Sequence, residues 1–144
     1  QSGVLGLGHA ILVGETLIGD EPFAVLLADD FCLTESDSVL AQMTALYEQH
    51  RCCIVAIEEV PLDQVSRYGV ISGVEERDGL FRVNEMVEKP EPAAVPSNLA
   101  IIGRYILTPA ILLRVDPSEA SNLVFKPEGS GPNLRVSKCK INFN

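Results

Sequence analysis

Two continuous apolar runs separated by an amphipathic segment do most to constrain how this chain can fold. The first run covers residues 23–28 and leads into Asp29 and Asp30, and the second covers residues 52–57. Continuous apolar runs of this length are typical of strands that are buried on both faces of a sheet. Between the runs, Ser36 or Asp37 can cap a helix. Its apolar residues fall at helical spacing, namely Val39, Leu40, Met43, Leu46 and Tyr47. The order strand, helix, strand predicts a parallel sheet with right-handed crossovers.

The sequence changes character after this strand-helix-strand unit. Residues 69–74 and 80–87 have the composition of strands, and turn-forming residues occupy positions 75–79 between them. This arrangement predicts a β-hairpin excursion from the main sheet. A proline-rich loop, an apolar strand and the start of a helix follow at residues 90–96, 98–107 and 108–109. We therefore expect an α/β fold with a mostly parallel sheet.

The distribution of charge divides the chain in two. Residues 1–113 carry a net charge of −11, whereas residues 114–144 carry a net charge of +2 and show no sustained strand or helix period. We expect residues 1–113 to form the folded unit and residues 114–144 to be a divergent or irregular tail. Gln1 in place of a starting methionine predicts that the chain is part of a longer one.

Composition argues against several classes of protein. No apolar run approaches the roughly 18 residues that a membrane-spanning helix needs, so we expect a soluble protein with no membrane partner. The net charge of −9 argues against a nucleic acid as partner, because binding its phosphates requires clustered Lys and Arg. The four cysteines show no CxxC spacing and only two histidines are present, which supports neither a zinc site nor a disulfide framework. A reducing, cytoplasmic location is predicted.

Two polar motifs stand at the ends of predicted strands and carry the chemistry. In Glu88-Lys89-Pro90, the carboxylate can accept hydrogen bonds from vicinal hydroxyls and the ammonium can pair with a phosphate. Pro90 stops the strand there, which would let both side chains reach one ligand. The pair Asp29-Asp30 can hold a divalent metal that bridges to phosphate. A surface strand end with an incidental ion pair is the alternative for the first motif.

These motifs, in their order and spacing, resemble the sugar nucleotidyltransferase family, and within it the bacterial UTP–glucose-1-phosphate uridylyltransferases. The resemblance covers roughly the first four-fifths of the chain. The segments that carry it are Gln1 with residues 5–10, residues 19–30, Tyr68-Gly69-Val70, residues 87–90, residues 96–101 and Gly103-Arg104-Tyr105. The resemblance implies a Rossmann-like nucleotidyltransferase sheet that is incomplete at both ends. It also implies that residues 1–113 are the central part of that domain, with the family's Gly-rich triphosphate loop upstream of Gln1.

The resemblance implies nucleotidyl transfer from UTP to glucose-1-phosphate, giving UDP-glucose and pyrophosphate. In this reaction a phosphate oxygen of the sugar attacks the α-phosphorus of UTP, and positioning and charge neutralisation carry the catalysis. Asp29 is implied as the ligand of Mg²⁺, the expected cofactor, and Lys89 as the catalytic contact to the sugar phosphate. Asp30 has no family role to transfer and is expected to be structural.

The remaining implied roles concern substrate binding. Gln1 and Gly6 correspond to positions that read the uracil base, Gly69 to a glycine whose backbone approaches the sugar, and Glu88 to the residue that binds glucose hydroxyls. Tyr105 is expected in the core, with a wall of the sugar pocket as the alternative.

Other functions remain open at the level of sequence. The protein could be another sugar-nucleotide pyrophosphorylase that uses dTTP, a glycosyltransferase acting on an activated donor, or a nonenzymatic sugar-nucleotide-binding fragment. The chain alone is expected to be inactive or nearly so, because it lacks the triphosphate loop. Homo-oligomerisation is left open.

Overall fold

The computed structural model describes residues 6–35, 37–91, 95–114 and 134–138. Three α-helices and six strands occur in these ranges, together with 3₁₀ helices at Leu62–Arg67 and Pro109–Arg114. The α-helices are α1 (Gly6–Val13), α2 (Glu15–Ile18) and α3 (Val39–His50). The strands are β1 (Phe23–Leu26), β2 (Cys53–Glu59), β3 (Gly69–Arg77), β4 (Leu80–Glu88), β5 (Leu99–Leu107) and β6 (Leu134–Lys138). None of the helices within these ranges has both the length and the apolar character needed to cross a lipid bilayer.

All six strands belong to one mixed sheet, in the order β1-β5-β2-β6-β4-β3. Strand β3 also pairs with β5, so five of the strands close on themselves and β1 extends from the ring. Among the described strands only the β2–β6 pairing is parallel, and the other pairings are antiparallel. The expectation of an α/β fold holds, but that of a mostly parallel sheet is not confirmed.

The position of β5 explains this difference. Strand β5 lies between β1 and β2 and runs antiparallel to both, so β1 and β2 point the same way without being neighbours. Helix α3 connects them, as the sequence predicts. The apolar pattern of β5 gives its strand character but not its place, because a strand's register and neighbours depend on contacts that are distant in sequence. The predicted hairpin is the antiparallel pair β3–β4.

The core lies on both faces of the sheet around β2. Cys53, Val55 and Ile57 point to one face, where they pack with α1 and the second 3₁₀ helix. Ile54 and Ala56 point to the other face, where α3 covers them. This two-sided burial accounts for the continuous apolar run of β2. Strand β1 instead alternates between half-buried and exposed residues, so the prediction that it is buried on both faces is wrong in the described structure.

Two local predictions also change. The cap of α3 is Ser38, whose hydroxyl accepts a hydrogen bond from the Ala41 N–H at 3.2 Å, and not Asp37. Ser36 lies outside the described residues. In the predicted irregular tail, β6 is a regular strand between β2 and β4 whose Val136 is fully buried. The division of the chain at residue 114 stays a prediction.

Candidate functional site

The first half of the site is a four-residue turn that follows β1, residues 27–30, here called the acidic turn. It is attached to β5, because the Leu27 N–H donates to the Gly103 carbonyl at 2.9 Å. At this point β5 bulges: from Tyr105 to Ile101 it advances four residues while β2 advances two. Gly103 has φ 61°, a conformation that favours glycine, and a Cβ there would overlap the Asp30 carboxylate.

Arg104 holds both ends of the acidic turn. Its guanidinium donates from Nη1 to the Leu27 carbonyl at 2.8 Å and from Nη2 to the Asp30 carbonyl. Nη1 also lies 3.1 Å from the Gly103 carbonyl. The planar fork of arginine suits such paired acceptors, because its donors point in fixed directions. The turn is therefore bonded to β5 through both main chain and side chain.

The two aspartates of the turn differ in environment. Asp29 is exposed, whereas Asp30 is partly buried between the turn and β5. Burial raises the pKa of Asp30, the charge of Asp29 raises it further, and Arg104 partly offsets both effects. A raised pKa means that the Asp30 carboxyl group holds its proton more strongly, so it is less readily the anion that a cation would bind. The exposed Asp29 is thus the better placed of the two to meet a ligand.

The second half of the site lies where β3 begins and β4 ends. Gly69 pairs with Glu88, and a Cβ on Gly69 would lie only 3.0 Å from Glu88 Oε2, so the carboxylate occupies the space that a side chain would take. Lys89 follows with φ 43°, and its N–H donates to the Tyr68 carbonyl at 3.0 Å. The strand ends at Glu88, where the sequence predicts an ending.

Glu88 and Lys89 point to the same side of the chain. Lys89 Nζ lies 3.9 Å from Glu88 Oε1, and the two side chains are 64% and 50% exposed, respectively. An ion pair at this distance and exposure is weak, so a ligand can replace it at little cost. In a regular strand, neighbouring side chains would point to opposite faces. The left-handed backbone of Lys89 is what brings the two charges together.

Tyr105 follows Arg104 on β5. Its side chain is buried in the core on β5. Burial, and then the charges of Glu88 and Asp30, raise its pKa to about 12. The two halves of the site meet on β5 close to this residue: the acidic turn is bonded to Gly103 and Arg104, and a Cβ on Gly69 would lie 3.3 Å from Ile101 Cδ1. The Tyr105 phenol is therefore protonated at neutral pH and can donate a hydrogen bond.

The other predicted residues are placed as follows. Gly6 begins α1 with φ 86° and is not among the residues that the contacts above connect. Gln1 lies outside the described residues. No group of three or more His, Cys, Asp or Glu side chains that could hold a metal occurs within the described ranges.

Sequence reasoning gave no role to Gly103 and Arg104, although both belong to a matching motif. The signal was present, since a glycine followed by a charged residue interrupts the apolar run of β5. Glycine inside a strand often marks a bulge or a close approach of another backbone.

Residues 1–126 match the family described as nucleotidyl transferase, and the chain belongs to that family. The match covers the acidic turn, Glu88-Lys89 and Tyr105 alike.

The similar proteins within the family are uridylyltransferases, which confirms the resemblance found in the sequence. The chain is 65% identical over 115 residues to the UTP–glucose-1-phosphate uridylyltransferase of Pseudomonas aeruginosa, covering 79% of this chain and 41% of that protein. It is 41% identical over 140 residues to UTP–glucose-1-phosphate uridylyltransferase 2 of Staphylococcus saprophyticus, covering 96% of this chain and 45% of that protein. The chain therefore spans less than half the length of these relatives.

Solved structures agree with these relatives. A crystal structure of UDP-glucose pyrophosphorylase complexed with UDP-glucose superposes with a TM-score of 0.89 at 45% identity, covering 97% of this chain and 56% of that one. A UTP-bound UDP-glucose pyrophosphorylase from Acinetobacter baumannii superposes with a TM-score of 0.81 at 27% identity, covering 97% and 51%.

Proposed function

We propose that a full-length protein containing this chain transfers a uridylyl group from UTP to glucose-1-phosphate, giving UDP-glucose and pyrophosphate. The observation that carries the proposal is that both halves of the site meet on β5. The acidic turn is bonded to Gly103 and Arg104, and Gly69, with the Glu88 carboxylate beside it, lies next to Ile101. Relatives named for this reaction share the sequence, which favours UTP over dTTP as the nucleotide.

The sugar half of the reaction falls to Gly69, Glu88 and Lys89. The Glu88 carboxylate, half exposed above Gly69, is proposed to accept hydrogen bonds from glucose hydroxyls. Lys89 is proposed to bind the phosphate of glucose-1-phosphate and to hold its attacking oxygen. The absence of a side chain at Gly69 leaves room for the Glu88 carboxylate, and the backbone of Gly69 is proposed to approach the sugar beside it. The loose Glu88–Lys89 pair leaves both charges available to the substrate.

The nucleotide half falls to the acidic turn. An exposed carboxylate oxygen at the end of a strand is a hard ligand, and Mg²⁺ needs only one or two of these when substrate phosphates complete its shell. Asp29 fits this requirement, with Asp30 next to it as a partly buried neighbour. We therefore assign Asp29 as the protein's ligand to Mg²⁺. When bound, Mg²⁺ neutralises charge on the phosphates as pyrophosphate leaves.

Two further assignments come from resemblance. Gln1 is proposed to read the edge of uracil, and Gly6 to allow the base close to the backbone at the start of α1. The reducing, cytoplasmic setting proposed for the protein agrees with Cys32 and Cys53, which carry thiols and not disulfides.

The test is a direct assay of both products. The full-length protein with UTP, glucose-1-phosphate and Mg²⁺ should release pyrophosphate and form UDP-glucose in equal amounts, and dTTP should replace UTP poorly. The 144-residue chain in the same assay should show no turnover. A full-length protein that binds UDP-glucose but releases no pyrophosphate would refute the proposal, as would strong turnover by the short chain for its second part.

A further inference from the structure

The acidic turn is held by hydrogen bonds from Arg104 on β5, a residue more than 70 positions away in the sequence. Its first and fourth residues, Leu27 and Asp30, both offer carbonyls to the guanidinium of Arg104. Asp29 is the third residue of the turn and lies between these two fixed carbonyls. Arg104 therefore holds the backbone on both sides of the residue that is proposed to bind the metal. A four-residue turn fixed at its first and last carbonyls has little freedom left in between.

We propose that Arg104 is a positioning residue for the proposed reaction, which fixes the acidic turn so that Asp29 is presented in one place. This inference rests on the proposed function. A catalytic constellation must be held within about 0.5 Å of its productive geometry by groups that do not themselves react. Arg104 meets that description, since its bonds go to main-chain carbonyls of the turn.

Gly103 supports the same assignment independently. The Asp30 carboxylate lies where a Cβ on Gly103 would stand, and Leu27 Cβ is 3.0 Å from that position. The β5 bulge therefore packs against side chains of the turn, while the Arg104 side chain binds its carbonyls. Any residue with a Cβ at position 103 would push the turn outward and would also be strained at φ 61°.

Lysine cannot replace arginine in this role. Its ammonium carries the same charge, but it is a single point at the end of a flexible stem and lacks the two parallel donors of the guanidinium. Arg104→Lys thus keeps the local charge while removing the fork. If charge alone mattered, lysine would restore function, and if the fork matters it will not.

The experiment uses the full-length protein with Arg104→Lys and Arg104→Ala. The matched control is Arg82→Lys, because Arg82 pairs with Glu76 at 3.5 Å on the exposed hairpin. Three quantities are measured: binding of Mn²⁺ to the protein in the presence of UDP-glucose by electron paramagnetic resonance, the Mg²⁺ concentration for half-maximal rate, and kcat with KM for glucose-1-phosphate. Thermal unfolding reports the folded state of each variant.

We expect Arg104→Lys to remain folded, to weaken Mn²⁺ binding and raise the half-saturating Mg²⁺ concentration about tenfold, and to lower kcat at least tenfold. The KM for glucose-1-phosphate should stay within about twofold of wild type, because the proposed sugar contacts come from the end of β4, whereas Arg104 lies on β5. Arg82→Lys should match wild type throughout. If Arg104→Ala does not fold, the lysine variant alone decides.

A merely structural role for Arg104 predicts a different result, namely a lower melting temperature and active fraction with unchanged dependence on Mg²⁺ and Mn²⁺. That result would overturn the inference, as would full rescue by lysine. Metal binding in the presence of UDP-glucose needs no turnover, so the two proposals can fail separately. A wild-type protein without activity whose Mn²⁺ binding still depends on Arg104 would refute only the proposed function.

Discussion

Replacing Gly69 by alanine tests whether the space beneath Glu88 matters for the sugar. The added methyl would lie 3.0 Å from Glu88 Oε2 and 3.3 Å from Ile101 Cδ1. The nearest atom is the free end of a half-exposed side chain, so it can move by a few tenths of an ångström. Gly69 is not among the residues with positive φ, and alanine also restricts the unfolded chain. We expect the free energy of unfolding to change by less than about 1 kcal/mol.

The effect should instead appear in substrate binding. A hydrogen bond to a charged group contributes about 1.5–3 kcal/mol, which corresponds to a KM change of about 10- to 150-fold when it is lost entirely. A displaced Glu88 carboxylate loses part of this, so Gly69→Ala should raise KM for glucose-1-phosphate about 3- to 10-fold with kcat little changed. Steady-state kinetics on the full-length protein measure this KM, and urea unfolding measures the free energy of unfolding.

Gly73→Ala is the matched control on the same strand. A Cβ there would lie 2.5 Å from the Arg82 carbonyl oxygen, which is backbone and cannot step aside. This variant should lose about 1–3 kcal/mol of stability. The double variant Gly69→Ala with Glu88→Gln should show no further rise in KM beyond Glu88→Gln alone, because both act on one contact. Additive effects on KM, or a stability loss at Gly69 equal to that at Gly73, would refute the reasoning.

Three other predictions concern the charged residues of the site in the full-length protein. Asp29→Asn should lower kcat at least about 100-fold, because a metal that neutralises developing charge acts most strongly in the transition state. Asp30→Asn should do much less, and equal effects of the two on the Mg²⁺-dependent rate would contradict the assignment. Asp30→Asn should also raise the melting temperature at pH 7. Burial and Asp29 raise the folded-state pKa of Asp30 above its ordinary value of 3.8. The stability that protonated Asp30 contributes is therefore fully present below pH 3.8 and is lost as pH rises through the folded-state pKa, whereas asparagine stays neutral at every pH. Thermal melts from pH 3 to pH 7 check this, and an advantage of the variant that does not shrink toward pH 3 would contradict it. Lys89→Ala should lower kcat/KM for glucose-1-phosphate and galactose-1-phosphate alike, whereas Glu88→Gln should raise KM for glucose-1-phosphate and relax the preference between the two sugars. Kinetics with both sugar phosphates separate these outcomes. An unchanged sugar preference in Glu88→Gln would show that Glu88 is only a surface residue at the end of a strand.

Local chemistry was readable from the sequence, and long-range neighbours were not. The end of β4 at Glu88 and the acidic turn after β1 both follow from short patterns of apolar, acidic and proline residues. The insertion of β5 between β1 and β2 does not, because an apolar strand fits any interior place in a sheet. The role of Arg104 was missed for the same reason, because its partners Leu27 and Asp30 come close to it only when β5 pairs with β1.

The place of β5 also bears on how the chain folds as it is synthesised. Strands β1 and β2 leave the ribosome before β5, yet β1 pairs only with β5 among the described strands, and β5 also pairs with β2 and β3. Until residues 99–107 emerge, β1 and β2 lack the strand that joins them in the described sheet. Pairings of such high sequence separation form slowly and expose intermediates to aggregation. Nascent chains that stop before β5 should therefore depend strongly on chaperones, and those that include it much less.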